Sequence, residues 1–192
     1  MTDSNSFNMC PMCGSKKIEN PGMRKWICRD CSFDLYNNVA SAVGIIIHDK
    51  FDNVLFEVRA KEPRKGFLAL PGGFVDFDES AEQAVVRECK EEIGVDIEAE
   101  SVKFLCTNPN TYPYKGITYK TCDIFFTAEL PSQYKDIADF IGHLKAQESE
   151  VTAFVSKKLA SVADLEELPL AFESAVKTLH QFLGLSKDKR RI

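Results

Sequence analysis

The sequence predicts an α/β domain preceded by a small metal-stabilised module. Three observations support this: two Cys-x-x-Cys pairs near the start, strand-like segments interspersed with helical ones, and a glycine loop that leads into a glutamate-rich helix. The chain has 192 residues, of which 44% are apolar, enough for one domain of ordinary size and a module. We place the module and its linker at residues 1–38 and the domain at residues 39–192.

The module carries its cysteines at positions typical of a zinc ribbon. The pairs Cys10/Cys13 and Cys28/Cys31 are separated by residues 14–27, which contain too few apolar side chains for a core of their own. A redox pair is the alternative, but two such units before any βαβ pattern favour structural Zn²⁺. Basic residues surround Trp26, which either packs the ribbon or stacks on a nucleotide or an RNA end.

The domain is predicted to consist of strands interspersed with helices. Strand-like apolar runs are separated by polar loops, and the later segments carry helical apolar stripes. Residues 107–116 read as a loop because they are dense in Pro and Asn. Residues 133–147 are polar and predict either a short helix or an irregular excursion of the chain away from the sheet. The predicted strands are 41–48, 54–59, 67–70, 102–106, 117–130 and 151–155, and the predicted helices are 79–92, 159–165 and 170–185.

The helix at 79–92 follows the glycine loop and ends in acidic residues. Ser80 can cap it with Gln83 in a capping box, and a stop at Gly94 suits its end. The carboxylates of its C-terminal glutamates share one face, where like charges repel. They form either a solvated acidic face or a site for a divalent cation that binds oxygen ligands. These residues are Glu88, Glu91 and Glu92.

Residues 73–95, GFVDFDESAEQAVVRECKEEIGV, match the pattern GX5EX7REUXEEXGU at every fixed position, with Cys89 at one apolar position. The sequence therefore resembles the Nudix family. The resemblance implies an α/β/α sandwich with a mixed β-sheet and helices on both faces. It also implies metal-dependent hydrolysis of a nucleoside diphosphate linked to another group.

Several site residues follow from the resemblance. Glu88, Glu91 and Glu92 are implied as catalytic ligands of Mg²⁺ or Mn²⁺, while Glu79 and Arg87 form a structural ion pair. The base that activates water is one of these glutamates or an acidic residue outside the motif, for which Glu148 is the predicted candidate and Glu150 the other one considered. The predicted substrate-binding residues are Arg59 and Arg64 for phosphates, Gly72 and Gly73 for close backbone approach, and Tyr112 and Tyr114 for stacking on a ring. The alternatives are that the two arginines are ordinary surface residues and that the two tyrosines pack their loop onto the domain.

The substrate is less well defined than the reaction. A zinc ribbon before such a domain resembles the bacterial NADH pyrophosphatases, but TNPNTYPYKG stands where those enzymes carry SQPWPFPxS. An ADP-containing compound such as NAD(H) or ADP-ribose is the first hypothesis. A hydrolase of RNA 5′ ends, with the ribbon holding the RNA, is the second. A nucleotide-sensing regulatory module is the third, although such modules often lose the motif glutamates that are present here.

Charge and hydropathy exclude some classes of protein. The formal net charge of −5 is unlike that of a protein that coats nucleic acid. No apolar run of about 20 residues exists to span a membrane, and the polar start does not resemble a signal peptide. These features predict a cytoplasmic protein, and the resemblance described above implies a nucleotide as its substrate. Relatives in the family often form homodimers, so a homodimer is a further expectation.

Overall fold

The computed structural model describes residues 7–189, beginning with a small three-stranded antiparallel sheet. In this ribbon, β2 pairs with β1 on one side and with β3 on the other. Its only tryptophan, Trp26, is 6% exposed and packs edge-on against Phe7, with ring centroids 4.7 Å apart. Trp26 therefore packs the ribbon and is not available to stack on a ligand. The strands are β1 Ile18–Glu19, β2 Lys25–Cys28 and β3 Asp34–Tyr36.

The four ribbon cysteines form one compact cluster. Their Sγ atoms all lie within 4.8 Å of one another, with Cys10 and Cys31 at 3.8 Å and Cys13 and Cys28 at 3.6 Å. A tetrahedral Zn²⁺ with bonds of about 2.3 Å needs sulfur atoms roughly 3.8 Å apart. The backbone N–H of Cys31 lowers the pKa of Cys28 to about 6, whereas contacts with the other thiols and burial raise the pKa of Cys31 to about 12. Without a metal the cluster therefore favours one thiolate, and a bound cation would stabilise the others. The cluster is compatible with zinc, as the sequence predicts.

The domain is built on a six-stranded mixed sheet. Its strand order is β6-β5-β4-β8-β7, and β9 pairs with β5. Strands β4 and β8 are parallel over nine residue pairs, whereas the other neighbours are antiparallel. The strands are β4 Ala40–His48, β5 Asn53–Arg59, β6 Leu68–Ala69, β7 Lys103–Tyr114, β8 Ile117–Glu129 and β9 Val151–Lys158.

Helices cover both faces of this sheet. Strand β4 sends Ile45 and Ile47 into the core beneath the first helix and Ile46 into the core beneath the last one. This explains why residues 43–47 of β4 carry no polar side chain, since they are buried on both faces of the sheet. The arrangement confirms the predicted α/β/α sandwich. The helices are α1 Ala81–Glu88, α2 Ile137–Ile141, α3 Ala163–Glu166 and α4 Glu173–Lys189.

The prediction of a loop at residues 107–116 is wrong. These residues continue β7, which runs to Tyr114 and turns back into β8 at Lys115 and Gly116, both with positive φ. Pro109 and Pro113 are compatible with this strand because β7 lies at the edge of the sheet, where only one side must supply ladder hydrogen bonds. The turn residues therefore mark the tip of a long hairpin.

The C-terminal helices differ from their predicted bounds. Strand β9 extends to Lys158, beyond the predicted end at residue 155, and α3 begins at Ala163 where a helix from residue 159 was expected. The last helix begins at Glu173, three residues after its predicted start. Within the described part of the chain, no helix is both long enough and apolar enough to cross a membrane.

The ribbon generates the first testable prediction. Because Trp26 is the only tryptophan and is buried beside the cysteine cluster, its fluorescence reports on the ribbon alone. Metal binding supplies the folding energy of such a module. We expect a strong chelator to shift the Trp26 emission to longer wavelength while leaving the far-ultraviolet circular dichroism of the domain largely unchanged. Mass spectrometry establishes that the metal has been lost. If the Trp26 emission is then unchanged, this prediction is wrong.

Candidate active site

A tight backbone crossing sets the geometry of the site. The segment after β6 runs beside β4, with Val43 N–H donating to the Gly73 carbonyl and Ile45 N–H donating to the Pro71 carbonyl. Gly72 has φ of 142°, and a Cβ on it would lie 2.2 Å from the Val43 carbonyl oxygen. A Cβ on Gly73 would lie 2.5 Å from Glu88 Oε1. Both positions therefore require glycine so that the loop can pass between β4 and the helix carboxylates.

The helix that carries the glutamates is capped as predicted, but it begins at Ala81, two residues after its predicted start, and it ends differently. Ser80 caps α1 in a complete capping box with Gln83. The α-helix ends at Glu88, where an α-helix to residue 92 was predicted, and the chain continues as a π-helical turn, Cys89–Ile93, that stops at the left-handed Gly94. Single π-turns of this kind occur frequently at functional sites.

Arg87 is the centre of the charge network. It donates from Nε and Nη2 to the two oxygens of Glu79, at 3.1 and 2.6 Å. Its Nη1 donates to Glu88 at 2.9 Å and to Glu91 at 3.3 Å, and Nη2 also donates to the Phe74 carbonyl. One guanidinium thus joins the glycine loop to three carboxylates. It also holds the pKa of Glu79 below its ordinary value.

Glu92 points away from Arg87 into a buried region. Its Oε2 accepts a hydrogen bond of 2.8 Å from Gly72 N–H, yet burial raises the pKa of Glu92 to about 8. Nearby, Glu57 on β5 is 3% exposed, and its Oε1 has no hydrogen-bond partner. Burial, followed by the charge of Glu92, raises the pKa of Glu57 well above its ordinary value. The region therefore disfavours a second negative charge unless a cation is bound.

The predicted metal ligands are adjacent but not gathered around one point. Within residues 7–189, the only group of three or more Cys, His, Asp or Glu whose ligand atoms all lie within 4.8 Å is the cysteine cluster. Glu88 and Glu91 are turned toward Arg87, and Glu92 toward Gly72. The donor set still fits a hard divalent cation: it consists of carboxylate oxygens, and a buried one, on Glu57, lacks a partner.

A cavity of about 460 Å³ opens in front of these carboxylates. Arg59 and Lys61 supply positive charge on its wall. Aromatic rings form another part of the wall: Tyr112 lies 5.6 Å from Phe74 and 5.6 Å from Phe172 between ring centroids. The cavity continues onto the face of the sheet that α4 covers, where Asn110, Thr121, Asp123 and Ser174 line it. Its size suits a ligand as large as a nucleotide.

The structure brings most of the predicted site residues to this cavity. Those that line it are Arg59, Gly72, Gly73, Arg87, Glu88, Glu91, Glu92, Tyr112 and Tyr114. Arg64 does not line it, because its guanidinium lies over Phe67 and faces a neighbouring groove beside β7. Glu148 is exposed and also lies outside the cavity. The acidic residue of that segment that lines the cavity is Glu150, which pairs with Lys61.

Sequence reasoning missed several cavity residues. Phe172 falls within the helix predicted at residues 170–185, and Lys61 falls within the polar loop between the strands predicted at residues 54–59 and 67–70. Asp123 lines the cavity, whereas Glu57 lies near Glu92 without lining it. Each is an acidic residue within an apolar run predicted only as a strand, CDIFF for Asp123 and VLFEVR for Glu57. A charged side chain in a strand covered on both faces is unusual enough to mark a functional position. That signal could have been used.

Comparison with known proteins places this geometry in a family. Residues 39–182 match the family model described as NUDIX domain. The chain belongs to the Nudix family. Among similar proteins, the ADP-ribose pyrophosphatase of Methanocaldococcus jannaschii is 42% identical over 142 residues, which are 73% of this chain and 72% of that protein.

Other relatives of this Nudix protein extend the comparison. The NAD-capped RNA hydrolase NudC of Haemophilus influenzae is 25% identical over 97% of this chain, although the match spans only 64% of that protein. The solved NUDIX domain of Shewanella oneidensis NrtR, complexed with ADP ribose, superposes with a TM-score of 0.57 at 24% identity. It covers 80% of this chain and 90% of that one. At this identity the superposition shows the fold alone.

The buried carboxylates generate a prediction about pH. The folded pKa of Glu92, about 8, lies above its ordinary value of 4.5, so between these values the folded state binds more protons than the unfolded state. The stability of the metal-free protein should therefore fall as pH rises from about 4.5 to 8. Glu92→Gln should lose less stability over this pH range, because its amide does not titrate. At pH 8 its free energy of unfolding should exceed that of wild type by at least about 1.4 kcal/mol, the equivalent of one pKa unit.

Urea unfolding of both proteins in a chelator that spares the ribbon, at pH 4.5 and pH 8, measures this effect. Glu166→Gln, at an exposed position on α3, is the matched control and should follow the wild-type profile. Parallel profiles for wild type and Glu92→Gln would show that Glu92 does not titrate in this range.

Proposed function

We propose that the protein is a Nudix pyrophosphatase that hydrolyses the diphosphate bond of an ADP-containing compound, NAD(H) or ADP-ribose. The observation that carries the proposal is one cavity that joins the motif carboxylates, the cationic side chains of Arg59 and Lys61 and an aromatic wall. These three features match the cation, the diphosphate and the flat ring of such a substrate. The similarity to an ADP-ribose pyrophosphatase supports the same substrate class.

Each part of the cavity has a role in this proposal. Glu88, Glu91 and Glu92 would hold Mg²⁺ or Mn²⁺, which supplies positive charge to phosphate oxygens and lowers the pKa of a bound water. Arg59 and Lys61 bind the phosphates. Arg87 orients the glutamates through its hydrogen bonds and does not itself need to touch the substrate. Zn²⁺ in the ribbon is structural, because four thiolates leave no open ligand position.

The choice of base remains within two groups of residues. The motif glutamates are one group. The other is the segment before β9, where Glu150 lines the cavity and contributes to the raised pKa of Glu92. A carboxylate in this position can accept a proton from an attacking water if it lies within hydrogen-bond reach. Glu150 therefore replaces Glu148 as the proposed candidate outside the motif.

Hydrolysis by substituted proteins tests the metal-ligand roles. We expect Glu91→Gln and Glu92→Gln each to lower kcat by at least about a hundredfold, since removing one charge-stabilising group typically costs this much. The assay offers NADH, NAD, ADP-ribose and nucleoside triphosphates with Mg²⁺ and separates the products by chromatography. Glu100→Gln, which is exposed and lies outside the cavity, should keep wild-type rates. Wild-type rates in both cavity variants would overturn the assignment.

A second function is the hydrolysis of NAD-capped RNA ends. It is favoured by the similarity to NudC, which covers 97% of the chain and so includes the ribbon. On the ribbon, Lys16 and Arg24 are exposed, whereas Lys17 is paired with Asp30 at 3.0 Å. Under this function Lys16 and Arg24 would hold the phosphates of the RNA chain.

Homodimer formation and cytoplasmic location stay predictions.

Charge reversal on the ribbon separates the two functions. If the ribbon binds RNA, Lys16→Glu combined with Arg24→Glu should lower kcat/KM for NAD-capped RNA by roughly tenfold, as loss of two phosphate contacts predicts. The same variant should hydrolyse free NAD as wild type does. Reversal of Lys103 and Lys157, which are exposed and lie outside both the ribbon and the cavity, is the control. Equal rates on capped RNA in all three proteins would exclude a role for the ribbon.

A further inference from the structure

The cavity ends in a buried carboxylate that the proposed chemistry does not use. Asp123 lies on β8 beside Ala42 of β4, on the sheet face covered by α4, and it is 7% exposed. Burying a carboxylate is costly unless hydrogen bonds compensate it. Asp123 is also on the far side of the sheet from Glu57 and Cys89, so it does not belong to the acidic cluster of α1. The proposed metal site therefore does not account for the burial of the Asp123 carboxylate.

Hydrogen bonds from three neighbouring segments hold Asp123 in place. Oδ2 accepts from Asn110 Nδ2 at 3.0 Å and from Ser174 Oγ at 2.6 Å, while Oδ1 accepts from Thr121 Oγ1 at 2.5 Å. A carboxylate can accept about four hydrogen bonds. Three are formed within the protein, so Oδ1 keeps one acceptor direction. Because Asp123 lines the cavity, a ligand can supply the remaining donor.

Aromatic side chains beside Asp123 are suited to a flat ring. The rings of Tyr112 and Phe172 lie on the same cavity, and the Arg59 guanidinium is centred 5.0 Å from the Phe172 ring. Arg59 also lowers the pKa of Glu92 through its charge, so it lies between the aromatic wall and the motif carboxylates. A phosphate placed at Asp123 would be repelled by it, whereas a neutral ring with N–H donors would be attracted. The cavity therefore has a phosphate end and a ring end.

We propose that Asp123 accepts a hydrogen bond from an amino group on the flat ring of the substrate and makes the enzyme select rings that carry one. The substrate class rests on the proposed function. The amino group is an exocyclic amine or a carboxamide, which are the adenine and the nicotinamide of the compounds proposed above. A ring with a keto or carboxylate oxygen in its place would turn an acceptor toward Asp123 and lose the contact.

Binding of small fragments tests this selection without depending on hydrolysis. Isothermal titration calorimetry compares AMP with IMP, in which a keto oxygen replaces the adenine amine, and nicotinamide mononucleotide with its nicotinate analogue. We expect at least one pair to differ by roughly tenfold or more in Kd, as loss of a hydrogen bond to a charged group predicts. Discrimination within the first pair assigns the amine of adenine, and discrimination within the second assigns the carboxamide of nicotinamide.

The variant Asp123→Asn keeps the shape of the side chain and can turn an amide N–H₂ toward the ligand. We expect the discriminating pair to differ by less than about twofold in this variant, because an amide can donate to the keto analogue as well. Asp164→Asn, at an exposed position where the carboxylate accepts from Ser161, should keep the wild-type ratio. Thermal unfolding of each variant establishes that the protein being titrated is folded.

Several outcomes would overturn the inference. If the two members of each pair bind the wild-type protein with Kd values within about twofold of each other, the inference is wrong. This result does not depend on whether the variant folds. An Asp123→Asn protein that is folded and binds every fragment more weakly by one common factor would show that Asp123 only ties β8 to β7 and α4. Discrimination in binding without hydrolysis of any ADP-containing compound would leave this inference intact and count against the proposed function alone.

Discussion

The confinement of several carboxylates in one buried region is the constraint on which this structure depends. Glu57 and Glu92 lie in the interior between β5 and the turn after α1, and burial raises the pKa of both. Such an arrangement destabilises the fold unless positive charge or protons accompany it. Arg87 offsets part of the charge on the outer side, through Glu79, Glu88 and Glu91. On the inner side, among the described residues, Gly72 N–H is the donor that reaches Glu92.

The surrounding backbone is shaped by the same requirement. A π-turn changes the direction of the residues after Glu88, so that Glu91 remains near Arg87 while Glu92 turns inward to 8% exposure. Glycine at positions 72 and 73 lets the loop approach both β4 and the Glu88 carboxylate. The strained and closely packed features therefore occur where the acidic groups are held, which is the usual location of local strain in enzymes.

The sequence allowed much of the fold to be predicted because its signals are local. A capping box, two Cys-x-x-Cys pairs and runs such as SAVGIIIH specify their elements with little dependence on the rest of the chain. The errors occurred where tertiary context decides. Pro109 and Pro113 indicate a loop until the position of β7 at the sheet edge is known. Glu148 and Glu150 are alike in sequence, and only the path of the chain before β9 brings Glu150 to the cavity.

The division of the cavity explains why the motif defines the reaction better than the substrate. The proposed metal ligands Glu88, Glu91 and Glu92 come from α1 and its π-turn on one side of the sheet. The proposed ring end is made by β7, β8 and the start of α4 on the other side. These later elements share no fixed pattern with the motif, so Tyr112, Asp123 and Phe172 can change without altering the chemistry at the diphosphate. In the function proposed here, specificity is consequently encoded in hairpin and helix residues that become neighbours only in the folded protein.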